Sequence, residues 1–304
     1  MPRYSLYGIT VDSVIELAAQ PAAAPGAVDC SVKFADDGPI ADVDWFHAWK
    51  FPRSEPSLLF GRSSGGYVLR VPAFVDFTVS ADGRTVSMPF PRKSQIGELQ
   101  HLLADLVLPL AVSRHRDLLM HAAAVNLPDV GAMAIAGRSG RGKSSMAMAL
   151  VGRGASVLSD DCTAIDGTSE SFAALPAYPG VRLWSEGQPA KMRIAGSTVP
   201  FHNQRSPLTA IFVLSRRHEG KRLKVRPLTH HGAVVELMRH TFVMDIMDRA
   251  QLARVFGALT SLVARVPILR VSFPDNRASL PEAAEAAIEF MQSLVRDRRA
   301  DPAA

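Results

Sequence analysis

Gly137-Arg138-Ser139-Gly140-Arg141-Gly142-Lys143-Ser144 is the stretch on which the fold turns. It matches G-x-x-x-x-G-K-[ST]. Ala132-Met133-Ala134-Ile135-Ala136 precedes it, a short apolar run that suits a buried strand. Ser145-Met146-Ala147-Met148-Ala149-Leu150 follows, a good helix former that Gly152 and Gly154 bring to an end. Strand, loop and helix in that order are the setting the motif requires. Its glycines let the backbone curl and turn successive N–H groups inward as an anion nest. The helix N-terminus adds partial positive charge. The nucleotide contacts expected on this pattern are Gly137, Ser139, Gly140, Arg141, Gly142, Lys143, Ser144 and Ser145. Lys143 would reach the β/γ-phosphates and the Ser144 hydroxyl would hold Mg²⁺. The bland alternative is a glycine-rich turn that binds nothing.

Binding phosphate is not yet transferring it. Transfer needs a metal anchor and a group that orients or deprotonates an acceptor. Asp160-Asp161 fill that need. They follow the short apolar strand Ala155-Ser156-Val157-Leu158, so they belong at its C-terminal end, beside the loop. Adjacent carboxylates on a strand point to opposite sides, one toward Mg²⁺ and one toward an acceptor hydroxyl. The alternative is a pair of loop or capping acids. His121, inside the strand-like run Leu118–Val125, is either a donor to the transferred phosphate or a satisfied core histidine. Arg182, in the irregular-looking segment Tyr178–Trp184, could neutralise transition-state charge, as could Lys191 and Arg193, although such residues are more often solvated. The basic run Arg216–Arg222 reads as a hairpin tip that could dock an acidic partner but is more often a solvated turn. Cys162 reads as a small core residue with no base beside it.

Farther out, residues 1 to about 92 look β-rich. Tyr4–Val11, Val28–Phe34, Tyr67–Val71 and Phe74–Val79 are strand-like, and Asp82-Gly83 marks a hairpin into Thr85–Met88. This portion carries no catalytic motif, so it is a recognition or assembly domain or a plain scaffold. Residues 93–114 form a linker helix with Ile96, Leu99, Leu102, Leu103 and Leu106 on one stripe, and Pro109 kinks or ends it. Residues 115–298 form the α/β domain of the loop, with strands at Ala210–Ser215, Leu223–Arg226 and Ile268–Phe273. Helices are expected over 232–247 and 249–265, with a last one opened by Ser279-Leu280-Pro281-Glu282. The tail from Arg296, including 299–304, is frayed.

Composition narrows the partners. With 304 residues and 47% hydrophobic content, the chain has room for two domains and a sizeable core. Two cysteines make no disulfide framework, which suits a reducing cytoplasm. Asp12 and Glu16 argue against a signal peptide, and no uncharged apolar run is long enough to cross a membrane. Net charge is +5, and the isoelectric point of about 9.5 suits an anionic ligand such as a nucleotide. No nucleic-acid-binding motif accompanies that charge, so neither nucleic acid nor membrane is an expected partner.

The run from His121 through Gly137–Ser145 to Ser159-Asp160-Asp161 resembles the HPr kinase/phosphorylase family, whose stretch passes from a strand histidine through G-D-S-G-x-G-K-S to a strand ending in Asp-Asp. The resemblance covers about 115–165. It implies a P-loop kinase core of HPr-kinase type, with Asp160 as base, Asp161 as a metal-site or supporting acid, Lys143 and Ser144 on phosphate and Mg²⁺, and His121 near the transferred phosphate. The glycine- and arginine-rich segment used by that family to dephosphorylate its protein substrate is not apparent here. Tyr4–Asp12 and Tyr178–Trp184 are more similar to the HPr-kinase-related kinase A group, some relatives of which accompany peptide-modification systems, including lasso-peptide kinases. The resemblance thus implies an ATP- and Mg²⁺-dependent kinase for a Ser/Thr hydroxyl of a peptide or small protein, with homo-oligomers among its relatives. A small-molecule hydroxyl kinase and a non-catalytic nucleotide-dependent binding module are the rival expectations.

Overall fold

The computed structural model describes the chain except residues 18, 23–25, 36–39, 41, 51–55, 168–170, 185–190, 196–197, 217, 220–221 and 301–304, together with the side chains of 50, 56–57, 183–184, 191–195, 277 and 299. The chain divides into two units, Met1–Asp117 with Val243–Gln251, and Leu118–Phe242 with Leu252–Ala304.

The first unit opens on a correction. Alternation over Tyr4–Val11 suggests one strand, but the chain folds back at Tyr7-Gly8. Both residues take left-handed φ, 55° and 69°, as the tightest hairpin turn demands. Strand β1 (Arg3–Leu6) therefore pairs with β2 (Ile9–Ser13), Leu6 facing Ile9. Tyr4, Leu6, Tyr7, Ile9, Val11 and Ser13 are buried in that ribbon. Next come β3 (Gln20–Pro21), β4 (Cys30–Phe34), β5 (Asp44–Lys50), β6 (Pro56–Ser63), β7 (Gly66–Val71), β8 (Val75–Ser80) and β9 (Thr85–Met88). Among the described residues they form one sheet in the order β3-β1-β2-β4-β9-β8-β7-β6-β5. The turn between β8 and β9 needs glycine: Gly83 has φ +74°, and a Cβ there would run into the Ala111 carbonyl.

Of the two outcomes expected at Pro109, a kink or an end, the helix begun by α1 (Ile96–Leu102) does not show the end. It continues through a wide π-type turn, Leu103–Val107, into α2 (Leu108–Val112). The Leu108 amide reaches back to Leu103 O, leaving Ala104 O without the amide that proline cannot supply. The Tyr7 hydroxyl donates to that carbonyl instead. The buried stripe is shifted from the expected one: Leu99, Leu103, Val107 and Leu108 are buried, while Ile96 is exposed. Val243–Gln251 is fastened within this unit by charge-assisted bonds. Arg62 grips Asp245 through two bonds of 2.7 and 2.6 Å, and Arg114 meets Asp248 at 2.8 Å.

The second unit is mixed α/β. Its elements are β10 (Leu119–Met120), β11 (Ala122–Leu127), β12 (Gly131–Ala136), α3 (Lys143–Val151), β13 (Ser156–Ser159), β14 (Thr163–Gly167), β15 (Phe172–Leu175), the hairpin β16 (Gly180–Trp184) and β17 (Lys191–Ala195), β18 (Ser206–Leu214), β19 (Lys224–Pro227), α4 (His230–Met238), α5 (Arg249–Val263), β20 (Ile268–Ser272) and α6 (Leu280–Ala300). The main sheet runs β10-β14-β15-β18-β12-β11-β13, with β20 beside β18 and β19 beside β20. Strand β18 pairs antiparallel with β15 at its start and lies between parallel β12 and β20 over Ile211–Val213, and it is buried along almost its whole length, as its largely apolar run Leu208–Leu214 requires. Met146, Ala147 and Leu150 of α3 and Ala283, Ala284, Ala287 and Met291 of α6 pack with Ile135, Phe212 and Val271 in one core. Each fully buried Leu, Met or Phe there contributes about 1.5–3 kcal/mol.

Three expectations change. Helix α4 stops at Met238 rather than running to 247, because the Phe242 amide is taken by Leu119 O at 2.7 Å and Thr241 bridges to Met120. The terminal helix continues past Arg296 to Ala300, and Arg298 donates to Arg265 O at 3.2 Å. Tyr178–Trp184 is not irregular throughout: Gly180–Trp184 is a strand, with Arg182 opposite Arg193. The side chains of Lys191 and Arg193, parts of the basic tip (217, 220–221) and 301–304 lie outside the described residues.

Candidate phosphate-binding and transfer site

Sheet register assembles the site. Ala122 at the start of β11 faces Ala136 at the end of β12, and Ala124 faces Ser159 at the end of β13. Strand β11 runs antiparallel to both, so its beginning and their ends share one edge of the sheet. His121, Gly137 and Asp160 are the residues next along the chain at those three points. The acid pair thus shares the loop's edge, although β11 lies between the two parent strands. The expected strand Leu118–Val125 is broken at His121, where pairing passes from β14 to β12 and β13.

Within the loop, Gly137, Gly140 and Gly142 have φ of 154°, 79° and 99°. L-residues rarely adopt such angles, and glycine takes them without penalty. Helix α3 starts at Lys143 after Gly142, with no side-chain cap, and a helix N-terminus of this kind favours an anion. Ser139 and Gly140 are exposed on the loop, as is Arg138, and Arg141 is half-buried. Lys143 and Ser144 are buried. Ser145 follows in the first turn of α3. The Lys143 ammonium donates to Gly137 O at 3.0 Å and faces His121 Nε2 at 2.9 Å. His121 Nδ1 lies 2.9 Å from Asp161 O. A carbonyl only accepts, so the ring hydrogen belongs on Nδ1 and Nε2 accepts from Lys143. This neutral tautomer holds the lysine over the loop.

The two acids differ. Strand β13 ends at Ser159, so strand alternation does not govern them. Asp160 is fully buried. Its Oδ1 accepts from the Ser144 hydroxyl at 2.9 Å, and its Oδ2 from the Arg182 backbone amide at 2.7 Å. Its carbonyl accepts from the Tyr178 hydroxyl at 3.2 Å and from the Cys162 amide at 2.8 Å. Asp161 sits in a left-handed conformation, φ 60°, a setting Asp tolerates better than most residues and one that clusters at functional sites. Beneath them, Ser159 Oγ lies 2.6 Å from Thr163 Oγ1, which donates to Ala122 O at 2.9 Å. That buried chain ties three strand ends together. Arg182 thus enters the site through its main chain, and Cys162 is a core residue.

Two contributors have no mark in the sequence. Tyr178 props the Asp160 carbonyl, as above. His240, after α4, accepts the His121 amide on its own carbonyl at 2.6 Å. Its ring is buried, and burial is the largest cause holding its pKa below the usual histidine value. Lys143 and Arg138 push the same way, against Glu236. Phe242 sets its ring edge to face on His121, centroids 6.2 Å apart.

The donor set fits a hard cation. A hydroxyl and a carboxylate share one spot, and among the described residues no group of three or more His, Cys, Asp or Glu could hold a metal alone. A cation at Ser144 and Asp160 would complete its shell with phosphate oxygens and water, the usual habit of Mg²⁺. Among the described residues no helix is long and apolar enough to cross a membrane.

No family model matches the chain, and no curated protein matches it. Among solved structures it is similar to the Hpr(Ser) kinase/phosphatase from Coxiella burnetii, at 13% identity and a TM-score of 0.33, over 61% of this chain and 99% of that one. A likeness of that size says nothing by itself of this chain's chemistry.

Proposed function

We propose that the second unit binds ATP with Mg²⁺ and transfers the γ-phosphoryl group to a Ser/Thr hydroxyl of a peptide or small protein. The observation that carries this is the 2.9 Å bond between Ser144 Oγ and Asp160 Oδ1 at the head of the glycine loop's helix. A hydroxyl just after the loop lysine, joined to an acid at the end of another strand of the same sheet, is the arrangement by which phosphate-binding loops hold Mg²⁺.

The loop amides and the α3 N-terminus would cradle the β- and γ-phosphates. Lys143 would leave His121 for the phosphate oxygens. Mg²⁺, on Ser144 and Asp160, would offset the charge growing on the leaving oxygen. Transfer forms one bond, from the acceptor oxygen to the γ-phosphorus, and breaks the bond from that phosphorus to the β-bridging oxygen. The acceptor's proton passes to a carboxylate. Asp160 engages both its oxygens, which favours the metal side for it. We therefore give the base to Asp161, reversing the order implied by the family resemblance. The peptide acceptor rests on that resemblance.

The test is incubation with γ-labelled ATP and Mg²⁺ against Ser- and Thr-containing peptides, protein extract and small hydroxyl compounds, followed by mass spectrometry. Phosphoserine or phosphothreonine supports the proposal. Label on small molecules alone would replace the acceptor class, and binding without transfer would reduce the protein to a nucleotide-dependent module.

A further inference from the structure

His240 lies outside every motif in the sequence, yet its carbonyl takes the amide of His121, whose ring meets the loop lysine. Its main chain fastens His121, which in turn holds Lys143. Its ring is buried, with Nε2 3.7 Å from Glu236 Oε1. The other oxygen of Glu236 is shared by Arg239 at 3.5 Å and Arg270 at 3.3 Å, so that carboxylate is only partly available to the histidine. The charged groups acting on the ring are thus Glu236 from α4, just before it, and Lys143 and Arg138 from the loop. His121, engaged by Lys143 on one nitrogen and by Asp161 O on the other, is neutral.

Resting on the nucleotide assignment above, we propose that His240 is a positioning residue that takes up a proton when a phosphate-bearing ligand occupies the loop. In the free protein, burial and the two loop cations oppose a charge on the ring. A bound triphosphate brings several negative charges to Lys143 and Arg138. Their repulsion of a charged imidazole is then offset, while Glu236 continues to favour it. The imidazolium so formed adds a positive charge that the free protein lacks. The sign follows from linkage. A group whose pKa is higher in the complex than in the free protein tightens binding as pH falls through the interval between the two values.

The experiment is calorimetry of a non-hydrolysable Mg·ATP analogue binding to the full chain. It is run in buffers of differing ionisation enthalpy, from about pH 5.5 to about 7.5, with Mg²⁺ in excess so that the nucleotide's own proton is already displaced. The expected result is a binding heat that varies with buffer as proton uptake requires. Affinity should rise on acidification by up to about tenfold per pH unit. His240→Gln should still bind while losing most of that uptake. Should His240→Gln not fold, Glu236→Gln serves instead: removing the favourable carboxylate must shrink the uptake. Binding whose heat does not depend on buffer, or uptake unchanged in these variants, would overturn the proposal and leave the nucleotide assignment standing. No binding in any buffer would sink both.

Discussion

Asp160→Asn separates a metal-side acid from a structural one. The side chain is fully buried and accepts two bonds, from the Ser144 hydroxyl and the Arg182 amide. An asparagine keeps the shape. Its oxygen must face the Arg182 amide, because two N–H donors cannot face each other, and its NH₂ then faces Ser144 Oγ, which rotates to accept. Two charge-assisted bonds become neutral ones, a loss of about 1 kcal/mol each, partly offset because a buried charge no longer has to be desolvated. Stability should therefore fall by only about 1–2 kcal/mol. Function should suffer far more. The cation loses its carboxylate, and transfer should drop at least about 100-fold, or about 2.7 kcal/mol of barrier. Asp161→Asn should also stop transfer while leaving Mg²⁺-dependent nucleotide affinity intact; Asp160→Asn should weaken that affinity. The assays are initial rates of phosphoryl transfer and nucleotide titrations with and without Mg²⁺. An Asp160→Asn protein that folds and turns over within about twofold of wild type would refute the metal-side role.

Lys143→Met should remove the cation over the loop and abolish measurable transfer, with phosphate affinity falling at least about tenfold in equilibrium binding. Tyr7→Phe should leave the Ala104 carbonyl buried without its donor and lower unfolding stability by about 1–2 kcal/mol in denaturant titration. The first unit should lose stability in acid. Burial works to raise the Asp245 pKa, but the Arg62 bonds, the Met247 amide and Tyr67 outweigh it, so the folded value is depressed. Such a group stabilises above its unfolded pKa, near about 4, and that contribution disappears as pH falls through the lower folded value. Asp245→Asn should flatten the pH dependence of unfolding in that window. An unchanged slope would mean that the pair does not set acid stability.

The glycine loop between a strand and a helix and the acid pair after a short apolar strand could be read from the sequence because each is local, whereas His121 falls in the break between β10 and β11. Glycines at fixed spacing need no knowledge of tertiary contacts, and a short apolar strand ending in two acids announces its own edge. What failed was whatever a distant residue decides. Tyr4–Val11 alternates like one strand, yet Tyr7 and Gly8 turn left-handed. Pro109 is kept inside a continuous helical path by a wide turn and the Tyr7 hydroxyl. Helix α4 halts because Phe242 has a partner at Leu119. The bond from the Arg182 amide to Asp160, placed by a hairpin, could not be read from the sequence. Strands β5 and β6 were not anticipated. His240 carries no local pattern, and only the approach of its turn to His121 brings it to the site.

The most direct test is a crystal structure with a non-hydrolysable ATP analogue and Mn²⁺, located by its anomalous signal. The phosphates should lie along Gly137–Ser144, with the ion on Ser144 Oγ beside Asp160 and Lys143 turned from His121 onto the phosphates. A loop left empty at saturating nucleotide, with Lys143 still on His121 and the ion elsewhere, would contradict the assignment.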